Sequence, residues 1–254
     1  MIFVTGDIHG RPFPRLSTDG FPEQKDMNQD EDFVIICGDF GIVWDNKGEN
    51  KTEKYYLDDL ESRNFTTLFC DGNHENFDRL DAYPVEEWHG GKVHKIRPHV
   101  IHLIRGQAYD ICGKKFFVFG GARSHDIRDG VLESDDPRVK VWKYDYDKLF
   151  RVNHVSWWAQ EMPSDEDKHV ADATLAELDY KVDFVISHDM PTECLKIYSA
   201  LFKHTVLKSD ELNEYLDSIR RKLDYTKWFC GHYHDNRQLT SKDMLLYEQL
   251  VRVV

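Results

Sequence analysis

The feature that most constrains this chain is a set of five short apolar runs, each followed by a small group of polar residues. The runs are rich in β-branched and aromatic side chains, which predicts buried β-strands. They cover residues 2–5, 33–37, 66–70, 184–187 and 228–230. Ligands of open α/β sheets bind just beyond the carboxyl ends of the strands, so we expect the five polar groups to converge in space.

Helical patterns alternate with these strands and predict an α/β arrangement. We expect helices over residues 51–63, 164–180 and 209–223. Ser164 opens an Ser-x-x-Asp capping sequence, and either Ser209 or Asp210 caps the third helix.

Three other stretches have a different pattern of apolar residues. Closely spaced strand-like runs at 99–104, 108–112 and 115–119 predict a meander, and short runs within 238–253 could join a sheet. The segment 124–163 has no clear periodicity, which is typical either of a functional lid or of short elements that the pattern does not reveal. No linker and no repeat divides the chain, so we expect a single domain over residues 1–254.

Charge and cysteine content restrict the partners and the location. The 33 basic and 46 acidic residues give a formal net charge of −13, which argues against long nucleic acid and anionic membranes as partners. The five cysteines form no Cys-x-x-Cys pair, and no apolar stretch approaches the ~18 residues of a membrane span. We therefore expect a soluble cytoplasmic protein. Cys37, Cys70 and Cys230 end apolar runs and are interpreted as small buried hydrophobes.

The polar groups at the predicted strand ends offer carboxylate, imidazole and amide donors. In chain order they are Gly6-Asp7-Ile8-His9-Gly10, Gly38-Asp39, Gly72-Asn73-His74-Glu75, Ser187-His188-Asp189 and Gly231-His232-Tyr233-His234. Such donors without thiolate suit Mn, Fe, Zn or Mg. Seven candidate ligands are too many for one ion, whereas two divalent ions about 3.5–4 Å apart, joined by a carboxylate, are used for displacement at phosphorus.

These groups resemble, in the same order, the signature of the calcineurin-like metallophosphoesterases. That signature is Asp-x-His, Gly-Asp, Gly-Asn-His-Asp or Glu, a lone His, and Gly-His-x-His, and the match runs from Gly6 to His234. The resemblance implies an α/β fold of the four-layer sandwich type, with two mixed β-sheets flanked by helices.

The resemblance also implies a role for each matched position. The expected ligands form two sets that share the bridging carboxylate of Asp39: Asp7, His9 and His234 for the first metal, and Asn73, His188 and His232 for the second. His74 is similar to the non-ligand histidine of the family, which hydrogen-bonds the phosphoryl group or protonates the leaving oxygen. We interpret Glu75 as a hydrogen-bond acceptor behind the ligands.

Other residues are candidates for substrate contact. Asn73 and His74 are expected to touch the substrate, and Arg123 and His125 follow Gly120-Gly121, so they either hold phosphate at the mouth of the site or form solvated surface. The tryptophans at 142, 157 and 158 either stack on a nucleobase or build core, and core is the commoner use of large aromatics.

The expected function is metal-dependent hydrolysis of a phosphomonoester or phosphodiester, of small or nucleotide-like substrates. A hydroxide between the two ions is the expected nucleophile, His74 assists the leaving group, and Mn is the expected metal in vitro. The sequence leaves the substrate and the oligomeric state open.

Two alternatives are kept. A Ser/Thr protein phosphatase would continue its second block as Gly-Asp-x-Val-Asp-Arg-Gly and place Arg before Gly-Asn-His-Glu, but this chain has Gly38-Asp39-Phe40-Gly41-Ile42-Val43-Trp44 and Asp71 there. A non-catalytic metal-binding interaction module with the same fold would be expected to lose ligands or His74, and none is lost.

Overall fold

Two β-sheets pack face to face in a computed structural model that describes residues 1–203 and 206–254. The first sheet contains β1 (Ile2–Thr5), β2 (Phe33–Ile36), β3 (Thr66–Phe69), β4 (Val85–Trp88), β5 (Gly91–Arg97), β6 (Val100–Leu103) and β15 (Val251–Arg252). Their order is β15-β1-β2-β3-β6-β5-β4. Strands β1, β2, β3 and β6 are parallel. At one edge β15 pairs antiparallel with β1, and at the other edge β5 pairs antiparallel with β6 and β4 with β5.

The second sheet is built in the same way around a parallel centre. It contains β7 (Gln107–Ile111), β8 (Lys114–Phe119), β11 (Phe184–Ser187), β12 (Lys227–Cys230), β13 (Arg237–Gln238) and β14 (Asp243–Leu245). The order is β13-β14-β12-β11-β8-β7, with β8, β11, β12 and β14 parallel. The five strands predicted from apolar runs are thus confirmed as β1, β2, β3, β11 and β12, all of which belong to the parallel parts of the sheets.

Alternation of side chains along these strands supplies the core on both faces of each sheet. Ile2 and Val4 of β1 point into the space between the sheets, where Ile186 and Phe229 meet them from the second sheet. Phe3 points to the opposite face and joins the apolar layer that Leu57 and Leu60 cover. The same alternation lets Val185 of β11 pack outwards against helices of the second sheet.

Helices close the outer faces and complete the four layers. The α-helices are α1 (Lys51–Glu61), α2 (Phe77–Leu80), α3 (Pro137–Trp142), α4 (Asp165–Glu177), α5 (Thr192–Tyr198) and α6 (Glu211–Arg220). Helix α1 covers the first sheet, and α4 and α6 cover the second. The predicted mixed α/β fold, with two mixed sheets flanked by helices, is confirmed. None of the helices in the described ranges is both long and apolar enough to cross a membrane.

Caps explain where two of the predicted helices begin. The Ser164 side chain accepts from the backbone N–H of Asp167, and the Asp167 side chain accepts from the backbone of Ser164, so the predicted capping sequence is confirmed. The third helix is capped by Asp210, whose side chain accepts from the backbone N–H groups of Leu212 and Asn213. Ser209 is therefore outside the cap.

The predicted meander is wrong in one respect. Strand β6 belongs to the first sheet, where it pairs with β3 and β5, and only β7 and β8 form an antiparallel pair in the second sheet. Gly106 turns the chain between the sheets with a φ of 79°, a conformation that glycine adopts readily. The spacing of apolar residues identifies strands, but it does not say which sheet receives them.

The segment over residues 124–163, called the insert below, contains short elements rather than a long loop. Strands β9 (Gly130–Leu132) and β10 (Phe150–Val152) form a small parallel pair, and α3 and a 3-10 turn at Ala159–Glu161 complete it. The interpretation of this segment as a set of short elements that the pattern does not reveal is confirmed. Trp158 is buried, whereas Trp142 and Trp157 are only partly buried, so the expectation of core tryptophans holds fully for Trp158 alone. The expected strands near the end of the chain are β13, β14 and β15.

Ser164 and Ser209 offer a matched test of the caps, because each serine stands just before a helix. We expect Ser164→Ala to lower the free energy of unfolding by about 1 kcal/mol, since an orphan backbone N–H loses its acceptor. Ser209→Ala should leave the free energy of unfolding nearly unchanged. Urea denaturation of both variants checks this, and equal losses would contradict the cap assignment.

Candidate metal centre

The seven candidate ligands lie at one edge of the molecule, because both sheets present the carboxyl ends of their parallel strands there. Asp7 follows β1, and Asp39 and Asn73 follow β2 and β3. His188 follows β11, and the two histidines of the Gly-His-x-His block follow β12. Side chains from the two sheets thus meet across the gap between them.

A first cluster is formed by Asp7, His9, Asp39 and His234, whose donor atoms all lie within 4.8 Å of one another. The Nε2 atoms of His9 and His234 are 2.8 Å apart. Asp7 Oδ2 lies 3.2 Å from His234 Nε2, and Asp39 Oδ2 lies 3.7 Å from His9 Nε2. The carboxylates are buried, while His234 is exposed, so this cluster opens to solvent on the histidine side.

A second cluster is formed by Asp39, His188 and His232, and all three residues are buried. His188 Nε2 lies 3.2 Å from Asp39 Oδ1 and 3.3 Å from Asn73 Oδ1. Asp39 belongs to both clusters, with Oδ2 facing the first and Oδ1 facing the second. The geometry therefore matches two adjacent cation positions that share one carboxylate.

The backbone carries strain where the candidate ligands sit. His9, Asp39, His232 and His234 have φ values of 46°, 44°, 71° and 48°. Non-glycine residues rarely adopt this left-handed region, and such strain gathers at functional sites. Four of the candidate ligands thus have backbones that the surrounding structure must hold in place.

Three glycines make room for the clusters. A Cβ atom added at Gly38 would collide with His188, one at Gly72 with Asp39, and one at Gly231 with Asp7. The glycines of the sequence blocks are thus explained by the close approach of ligand side chains to the backbone.

The donor set fits divalent metal ions. His232 belongs to the second cluster, and its Nε2 atom is buried with no hydrogen-bond partner within residues 1–203 and 206–254. A buried polar atom without a partner is costly, and a metal ion would satisfy it. Carboxylate, imidazole and amide oxygen donors suit Mn, Fe, Zn or Mg.

Buried charges shift the pKa values of two facing groups in opposite directions. Burial disfavours the imidazolium of His188, but the carboxylates of Asp39 and Asp7 outweigh it and raise the pKa of His188 to about 10. Burial disfavours the carboxylate of Asp39, but His188, His74 and His9 outweigh it and lower its pKa. Positive charge is thus strongly favoured at this point, as a proton or as a metal ion.

Asn73 is oriented by a chain of hydrogen bonds from the insert. Its Nδ2 donates to Ser124 Oγ at 3.4 Å, and the Ser124 hydroxyl donates to Glu161 Oε2 at 2.6 Å. Glu161 Oε1 also accepts from the Ser124 backbone N–H. Because the amide nitrogen is engaged in this way, the amide oxygen of Asn73 faces His188.

His74 lies beside the clusters without entering either group of donor atoms. Its backbone N–H donates to Asp39 Oδ1 at 2.8 Å, and its ring stands edge to face with His9 at a centroid distance of 4.9 Å. Burial lowers the pKa of His74, and Asp39 opposes this shift.

The other predicted residues fall into different places. Glu75 is buried and accepts from the backbone N–H groups of Phe40 and Gly41, which holds the loop after Asp39. His125 lies against His232 at a ring distance of 4.5 Å. Arg123 instead pairs with Asp210 and Glu211 at the start of α6, so the structure does not bring it to the clusters.

Sequence reasoning missed Arg151, Ser124 and Glu161, which reach the motif residues from the insert. Arg151 Nη2 lies 3.5 Å from His74 Nε2. The alternating Phe150-Arg151-Val152 triplet is a weak strand signal, because three residues are too few to predict a strand from alternation.

Comparison with known proteins bears on the family of the chain. A search of curated protein sequences gave no match. A family model described as calcineurin-like phosphoesterase matches residues 1–236, which includes every candidate ligand. On this match, the chain belongs to the calcineurin-like phosphoesterase family.

Proposed function

We propose that this phosphoesterase hydrolyses phosphomonoesters or phosphodiesters of small, nucleotide-like molecules with two divalent ions, for which Mn(II) is the metal of choice in vitro. The observation that carries the proposal is the pair of donor clusters that share Asp39 and have His74 beside them. Asp7, His9, Asp39 and His234 would hold one ion, and Asp39, Asn73, His188 and His232 the other.

The ions and the side chains of the protein would have different roles in the reaction. Two bound divalent ions lower the pKa of water and neutralise charge on phosphoryl oxygens. Asp39 would fix the spacing of the two positions with its two oxygens. A neutral imidazole keeps one N–H, so His74 can hydrogen-bond a phosphoryl or leaving-group oxygen beside the clusters.

Cavities next to His9 support a small anionic substrate. One of about 810 Å³ is lined by Asp7 and His9, and one of about 630 Å³ by His9 and Trp44. Volumes of this order suit small molecules. Arg11 lines both cavities, and its side chain makes no ion pair or hydrogen bond with the described part of the chain, so it can meet an anionic group.

The protein phosphatase alternative receives less support. Asp71 occupies the position before Gly72 where that pattern has arginine, and Asp71 is buried in an ion pair with Arg105. No cation therefore projects into the site from this position.

We propose one domain, because the core between the sheets joins Ile2 to Val251 near the other end of the chain. The five free cysteines support a cytoplasmic location.

His74 and Asn73 should have separable roles although they are neighbours. We expect the protein loaded with Mn(II) to hydrolyse an aryl phosphate monoester or diester. His74→Ala should keep both ions and slow turnover by about 100- to 10,000-fold, because a positioned acid is lost. Asn73→Ala should weaken the second metal.

Metal analysis and steady-state kinetics on the same preparations check this prediction. Absence of hydrolysis of both esters by the wild-type protein with two ions bound would contradict the proposed function. Loss of metal from His74→Ala as easily as from Asn73→Ala would contradict only the separation of roles.

Substitution of Asp39 should lower the metal affinity of both sites. Asp39→Asn keeps the shape but removes the charge and leaves one good donor oxygen, so both sites should weaken together. Asp7→Asn is the matched control, because Asp7 belongs to the first cluster only and should spare more of the second site. Calorimetric titration with Mn(II) compares the two variants, and two intact sites in Asp39→Asn would refute the bridging role.

Metal binding should release a proton and strengthen as pH rises. In the metal-free protein His188 has a pKa raised to about 10, so it is protonated at pH 7, whereas a ligand imidazole must be neutral. Affinity for Mn(II) should therefore increase with pH up to about pH 10 by at most about tenfold per unit.

Titrations in buffers of different ionisation enthalpy measure the released protons. His125→Gln is the matched control, because His125 lies next to His232 but belongs to neither cluster, and it should release as many protons as the wild type. Binding that is independent of pH, with no proton released, would argue against His188 as a ligand.

A further inference from the structure

Arg151 stands at the side of the candidate centre where His74 lies. It belongs to β10 in the insert, and its Nη2 atom is 3.5 Å from Nε2 of His74. The Arg151 side chain is only 16% exposed, so little of its charge is solvated by bulk water. His74 contacts His9 and Asp39 of the first cluster, so the guanidinium lies one residue away from that cluster.

Contacts with Asp126 and Ser156 fix the orientation of the Arg151 guanidinium. Asp126 accepts from Nε at 2.8 Å and lies 2.6 Å from Nη2, while the carbonyl oxygen of Ser156 accepts from Nη1 at 3.3 Å. A guanidinium has five N–H donors in a fixed plane. These contacts use three of the five, and of the two hydrogens left, the one on Nη2 faces His74 Nε2. A substrate oxygen that replaced this contact would accept from both residues.

The insert is fixed to chain segments that follow two of the five groups of motif residues. Asp78, which follows the His74 block, accepts from Trp158 Nε1 at 2.7 Å and contacts His154 Nδ1 at 2.8 Å. Asn46, which follows the Asp39 block, donates to the carbonyl oxygen of His154 at 2.8 Å. Arg151 is therefore held at a defined place relative to His74 rather than on a free loop.

We propose that Arg151 binds the phosphoryl oxygen farthest from the metals, together with His74, and thereby selects phosphomonoesters over phosphodiesters. The inference rests on the proposed function and narrows its substrate class.

Charge and space both support this selection. A phosphomonoester carries close to two negative charges over three free oxygens, whereas a diester carries one charge over two. Arg151 adds a charge-assisted hydrogen bond only where a free oxygen faces it. Because Arg151 Nη2 and His74 Nε2 are 3.5 Å apart, one oxygen that lies beside the pair can accept from both at normal hydrogen-bond distances, while an ester carbon there would leave both donors without an acceptor.

The test compares an aryl phosphate monoester with the corresponding aryl phosphate diester, in the protein loaded with Mn(II). Arg151→Met should lower kcat/KM for the monoester by about 10- to 100-fold and for the diester by less than about threefold, because one charge-assisted contact is lost. Arg151→Lys, which keeps a point charge, should give an intermediate ratio. Calorimetry should show weaker binding of inorganic phosphate to Arg151→Met.

Arg138→Met is the matched control, because Arg138 also lies in the insert and pairs only with its own neighbour Asp136 among the described carboxylates. It should leave the monoester-to-diester ratio and phosphate affinity unchanged.

The outcomes separate the inference from the proposed function. Equal losses for both esters, or a ratio that does not change in either Arg151 variant, would overturn the selective role while leaving phosphoester hydrolysis in place. Inactivity of the wild type toward both esters would overturn the proposed function. The affinity of the wild type and of Arg151→Met for inorganic phosphate would then show whether Arg151 binds phosphate. Unchanged phosphate affinity in Arg151→Met would overturn the binding role.

Discussion

Asp39 places a buried carboxylate between side chains of both sheets. Its Oδ1 atom lies 3.2 Å from His188 of the second sheet and accepts from the His74 backbone at 2.8 Å, while Oδ2 faces His9 of the first sheet. Burying a carboxylate is costly unless positive charge and hydrogen bonds surround it. The pairing of Asp39 with His188 therefore requires the ends of β2 and β11 to stay together. The packing of the two sheets and the geometry of the candidate centre depend on each other.

Much of this arrangement follows from the sequence, for identifiable reasons. A buried parallel strand is apolar on both faces, so β1, β2, β3, β11 and β12 appear as continuous runs that need no knowledge of their neighbours. Asp7, Asp39 and His188 stand directly after such runs, and parallel strands end at one edge. Local pattern and topology together predicted that these polar groups converge, while their division into two ligand sets came from the family resemblance.

The remaining features depend on contacts between distant parts of the chain. Nothing near β6 says that it pairs with β3 rather than with β7, because several pairings satisfy an apolar run equally well. Arg151 is separated from His74 by 77 residues, and its neighbours in sequence form a strand of only three residues. The insert touches two adjacent motif positions in different ways, orienting Asn73 through Ser124 and Glu161 and presenting Arg151 to His74. The motif thus defines the reaction, while a segment without any motif shapes what surrounds it.

Three thiols lie within a few residues of candidate ligands, and their burial has a consequence for chemical durability. Cys37, Cys70 and Cys230 are buried, and the same burial raises the pKa of each thiol well above its usual value. A thiol that stays protonated and out of reach of solvent is a poor target for peroxide or alkylating agents, because the thiolate is the reactive form. Sulfur atoms can therefore lie close to the candidate centre without offering a reactive thiolate to oxidants in solvent.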